Sequence, residues 1–92
     1  MTIHSTLTAT RTFVSDSFAC IAHFESTDTN APPSYGQSGF YQIADVSLHS
    51  IAHLSGTASQ YPERTQLAAA ELIQRAQGWH QAFPISSRKC GL

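Results

Sequence analysis

Residues 26–39 constrain the fold more than any other stretch, because Asp28, Asn30, Pro32, Pro33, Gly36 and Gly39 are crowded into one polar run. Such a run buries little, and no strand continues through adjacent prolines, so it reads as a loop. Loops longer than about 12 residues inside a compact domain tend to be functional or disordered. The core must therefore come from the segments on either side.

Before the loop, residues 3–14 alternate with period two. Ile3, Leu7, Ala9 and Phe13 fall on one face and Thr6, Thr8, Thr10 and Thr12 on the other, which predicts a strand. The threonine row reads as a solvated strand face. Ser15, Asp16 and Ser17 supply turn chemistry, and Phe18, Cys20, Ala22 and Phe24 alternate with Ala19, Ile21, His23 and Glu25. A second strand, paired as an antiparallel hairpin, is the expectation.

After the loop, residues 40–44 read as a short strand. Asp45 then caps a short helix that Gly56 closes, with a continuing strand through Val46 and Leu48 as the rival. A long amphipathic helix begins near Pro62, followed by Glu63 where the helix dipole favours a negative charge. Thr65, Ala69, Leu72, Ile73, Ala76, Trp79, His80 and Phe83 form its apolar stripe, opposite Glu63, Gln66, Gln74, Gln77 and Gln81. Gly78 either ends this helix, with Trp79 folding back, or is tolerated as it runs towards Pro84. The expected architecture is α+β: a small antiparallel sheet of three or more strands, one long C-terminal amphipathic helix and a second short helix. Residues 1–92 make one domain, with a frayed tail over about 85–92.

A chain of 92 residues hides only about 60 to 65% of its unfolded surface, which leaves no room for a two-lobed enzyme. Charged residues make up 12% and the formal net charge is −1, so the surface carries little field and tolerates close docking. A DNA mimic needs a dense acidic face, and autonomous nucleic-acid binding needs clustered Lys and Arg. Neither is present: Arg11, Arg64, Arg75, Arg88 and Lys89 are scattered along the chain.

Cys20 lies in an apolar run and reads as a small buried hydrophobe, and Cys90 lies in the tail. Two cysteines do not make a disulfide framework, and no stretch approaches a membrane span, so the expected setting is a reducing cytoplasm with no membrane partner. His49 and His53 suit one metal ion if they lie on a helix, but stand roughly 13 Å apart on a strand. Two ligands do not make a zinc site, and no metal or other cofactor is expected. No nucleophile elbow, phosphate cradle or paired-carboxylate motif occurs, so no catalytic residue is assigned.

The segment 35–41 sets Tyr35, Phe40 and Tyr41 among Gly, Ser and Gln. Rigid apolar anchors among adaptable hydrogen bonders are the composition of binding loops. Tyr35, Gln37 and Tyr41 are therefore candidate partner-binding residues. Arg11, at a sheet edge, and Arg64 and Arg75, on the outer helix face, are candidates for contacts with a phosphate or carboxylate.

In size, weak charge and absence of motifs, the whole chain resembles the small phage proteins that inhibit CRISPR effectors, those of the multi-subunit type I-F surveillance complex in particular. No functional residue is carried over from them. The resemblance implies a non-enzymatic inhibitor, monomeric when free, that docks in a host cytoplasm on Cas proteins, touching guide RNA, and blocks target DNA. The alternative is a small structural or assembly subunit of a phage or bacterial complex. A minor enzyme or metal protein built on the histidines stands third.

Overall fold

The computed structural model describes residues 14–92. The threonine strand expected over residues 3–14 lies outside them except for Val14, and Arg11 lies outside them altogether. In chain order the elements are α1 (Asp16–Ser26), β1 (Gln37–Ser38), β2 (Ile43–Ala44), α2 (Asp45–Ser50), a 3-10 turn (Ala58–Gln60), α3 (Glu63–Gln77), α4 (Trp79–Ala82) and α5 (Ser86–Lys89).

This overturns the expected sheet of three or more strands. Among the described residues the only sheet is the two-stranded β1–β2 pair, with Gln37 opposite Ala44 and Ser38 opposite Ile43. The expected strand over residues 18–25 is the helix α1. Ser15 is its N-cap, accepting a hydrogen bond from the Phe18 amide, and Asp16 sits in the first turn. Phe18, Ile21 and Ala22 are buried at helical spacing, and Glu25 continues the same face half-buried. Thr27 closes the helix in the left-handed region, at φ 56°.

Asp45 is the first residue of α2 and not its cap, which is Ala44. Helix α3 starts immediately after Pro62 and stops at Gln77, where Gly78 adopts φ 82°. It is not the last element, since α4 and α5 follow. Its buried face also differs from the expected stripe: Gln66, Leu67, Ala69, Ala70 and Ile73 point inward, whereas Leu72 is 45% exposed. The positive φ at Gly78 lets Trp79 turn back towards α1, where its ring centroid lies 4.9 Å from that of Phe18. Phe18 also meets Tyr41 and Phe83 edge-on, so the core of α1, the hairpin and the C-terminal segment is an aromatic cluster.

The tail is also placed differently from expectation. Ser86 and Ser87 are buried, and Cys90 is bonded to Cys20 in a disulfide that spans 70 residues. Neither cysteine is free. The hydrophobic alternation around Cys20 carried no information about a partner so far along the chain, and that is why the pairing escaped the sequence. No helix among the described residues is long and apolar enough to cross a membrane.

Candidate docking surface

The long loop is a built object. Tyr35 and Gly36 both have positive φ, 53° and 74°. Ser34 and Gln37 exchange backbone hydrogen bonds at 2.9 and 3.2 Å across them. That is the hand of a type I′ turn, in which Asn and Gly are at ease and a tyrosine at the first position is strained. Tyr35 is 102% exposed. A large aromatic thus stands in solvent at the tip of a turn that disfavours it.

The turn is held from below by a buried amide. Gln66, at 1% exposure, accepts from the Phe40 amide (3.0 Å) and donates to the Asn30 side-chain oxygen (3.0 Å) and the Tyr61 carbonyl (2.9 Å). Asn30 in turn donates to the Ser59 carbonyl, and the Ser59 amide donates to the buried Ser38 hydroxyl. Ser26 Oγ reaches the Phe40 carbonyl at 2.8 Å. Gly39 lies so close to Gln66 that a Cβ there would overlap the amide oxygen, and its φ of 85° independently disfavours a side chain. These bonds tie residues 26–40 to the start of α3.

Of the residues singled out from the sequence, Tyr35 and Gln37 are brought together, both exposed, on this turn. Tyr41 is not a surface anchor: it is 1% exposed and packs on Phe18. Its phenol is pushed up to about 12, first by burial and then by the negative charges of Glu63, Glu71 and Asp28. Arg64 and Arg75 are exposed on α3, on one face and roughly 16 Å apart along the axis. His49 and His53 line a shallow hollow beside Leu54, and His49 Nε2 is hydrogen-bonded to the Gly56 carbonyl at 2.7 Å. Among the described residues no cluster of three or more His, Cys, Asp or Glu is placed to hold a metal ion.

Sequence reasoning missed Gln66 and Glu25. The signal was present in both cases: Gln66 is three, four and seven residues before Ala69, Ala70 and Ile73, and Glu25 is seven, four and three after Phe18, Ile21 and Ala22. Each polar residue shares the spacing of a buried stripe.

Glu25 forms one side of a cleft between α1 and the C-terminal segment, accepting a hydrogen bond from Ser86 Oγ at 2.7 Å. Burial raises its pKa, and the Ser86 bond opposes the rise in part. A carboxyl whose folded-state pKa lies above its unfolded value holds its proton longer in the native state. Stability therefore falls as pH climbs from about the ordinary carboxylate value through the raised one. Glu25→Gln is expected to melt no lower than wild type at neutral pH and to lose any advantage below about pH 4, where both side chains are neutral. Thermal melts across pH 3–7 check this. A Glu25→Gln melting temperature well below wild type at pH 7 would contradict the desolvation account. Comparison with known protein families, curated proteins and solved structures finds no match to this chain.

Proposed function

We propose that this is a non-enzymatic docking domain that presents Tyr35 to a pocket on a partner macromolecule. One observation carries the reading: a fully exposed tyrosine occupies a strained turn position whose base is rigidly hydrogen-bonded. Unfavourable local conformations persist where function maintains them, and exposed aromatics on rigid supports are the usual anchors of interfaces. The small net charge supports recognition by shape and hydrogen bonding.

The narrower form of the proposal, from the resemblance, is an inhibitor seated on a type I-F surveillance complex that blocks target DNA. Cytosolic thiols are normally kept reduced, so this form requires the protein to stay folded without its Cys20–Cys90 bond. The test uses purified surveillance complex. Wild type co-elutes with it and suppresses DNA binding, whereas Tyr35→Gly does neither and melts at the same temperature or higher, since glycine relieves about 1 kcal/mol of backbone strain. Failure of wild type to co-elute would exclude the inhibitor, and full activity of Tyr35→Gly would exclude Tyr35 as the anchor. A stable homo-oligomer with no such capture favours the assembly subunit.

A further inference from the structure

The cleft between α1 and the C-terminal segment has a chemistry that the docking surface does not use. It is a cavity of about 280 Å³ that contains one carboxylate, Glu25, and one ammonium, Lys89. The two do not neutralise each other: no ion pair between them lies within 4 Å, and Lys89 Nζ instead stands 5.3 Å from the centroid of the Phe24 ring. Glu25 receives its hydrogen bond from Ser86 alone among the described residues, which leaves most of a half-buried carboxylate's acceptor capacity open.

Gln37 and Gln42 of the hairpin line the same cavity. Gln42 Nε2 donates to the Gly39 carbonyl at 3.1 Å, so its own amide oxygen remains available to accept. The apolar side of the cleft comes from Phe24 and Ile85, which are 47% and 70% exposed. Its two principal walls are fastened together. Cys20 lies five residues before Glu25 on α1, and Cys90 directly follows Lys89, so the disulfide joins the element that carries the negative charge to the one that carries the positive charge. A site whose walls are covalently held loses less freedom on binding.

We infer that this cleft binds a free α-amino acid with an apolar side chain. Its ammonium faces Glu25, its carboxylate faces Lys89, the Gln37 and Gln42 amides serve its remaining donors and acceptors, and its side chain lies on Phe24 and Ile85. A simple amine or a simple acid satisfies only one of the two charges. Only a ligand that carries both charges fits both. The cleft adjoins the docking turn through Gln37, but Tyr35, the proposed anchor, does not line it, so the two readings are tested separately.

The test is titration of the oxidised full chain, followed by ¹H–¹⁵N spectra, with L-leucine and L-phenylalanine, and with leucine amide and N-acetyl-leucine, which each lack one charge. Saturable shifts of the Gln37 and Gln42 side-chain amides are expected at millimolar amino acid, with binding at least about tenfold weaker for both blocked compounds. Glu25→Gln and, separately, the surface variant Lys89→Gln are each expected to weaken L-leucine at least about tenfold while the remaining spectrum is unchanged. Tyr35→Gly should bind L-leucine like wild type. Absence of saturable shifts with either amino acid, or leucine amide binding as tightly as leucine, would overturn the inference. If Glu25→Gln does not fold, Lys89→Gln decides alone.

Discussion

Replacing Cys20 and Cys90 together by serine is expected to lower the stability of the protein by about 4 kcal/mol and its melting temperature by roughly 20 °C. The bond closes a loop of 70 residues, and removing a cross-link of that span returns a large conformational freedom to the unfolded chain. It also releases the two elements that hold Ser86 against Glu25. A domain of this size has only about 5 to 14 kcal/mol in total, so the variant remains marginally folded or unfolds near body temperature. Urea denaturation of wild type in oxidising and reducing buffer, beside the double variant, measures it. A difference below about 1 kcal/mol would show that the terminal segment is held by packing alone. It would also strengthen the case for a partner in a reducing compartment.

The second large effect is expected at Gln66. Gln66→Met keeps the volume but leaves the Phe40 amide and the Tyr61 carbonyl without their partner and removes the bond to Asn30. Each lost hydrogen bond costs about 1 kcal/mol and more where the orphaned group stays dry, so a loss of about 3 kcal/mol is expected. The exposed control Gln81→Met should stay within about 0.5 kcal/mol of wild type. Hydrogen exchange adds a local reading, because the Phe40 amide should lose protection before the α3 amides do. If Gln66→Met proves as stable as its control, the hairpin does not depend on this amide and the rigid base assigned to Tyr35 is wrong.

What was legible in the sequence divides along physical lines. Local backbone chemistry was readable in part: Pro62 and Gly78 bracket α3, and the prolines mark a loop, but within the expected loop of residues 26–39 Ser26 ends α1 and Gln37–Ser38 pair as β1, while of the strand expected over residues 40–44 only Ile43–Ala44 forms. Patterns satisfied by two periods at once were not. Residues 18–25 alternate by twos through Phe18, Cys20, Ala22 and Phe24, yet equally place Phe18, Ile21 and Ala22 on one helical face. In so short a run hydrophobicity cannot separate the two, and Ser15 with Asp16, read as a turn, was the cap that decided it.

The orientation of α3 failed for a different reason. Ranking by hydrophobicity turns Leu72 inward and Gln66 outward, whereas the fold does the reverse because a polar loop must be anchored to something. A buried amide surrounded by backbone groups is stable only once that loop is in place, which is tertiary information. The same holds for the candidate docking residues. Tyr35 and Tyr41 are six positions apart in one aromatic-rich segment, and only the turn geometry separates the exposed ring from the one in the core.

Trp79 gives the molecule a built-in reporter. It is the only tryptophan in the chain, and it stands just past the Gly78 break with its ring on Phe18 of α1. Its fluorescence therefore senses the seam between α1 and the C-terminal third, not the interior of either. Emission that shifts while far-ultraviolet helical signal persists records the seam opening ahead of the core. Emission that moves together with the helical signal records one cooperative unit, in which the aromatic cluster and the helices are lost as a single event.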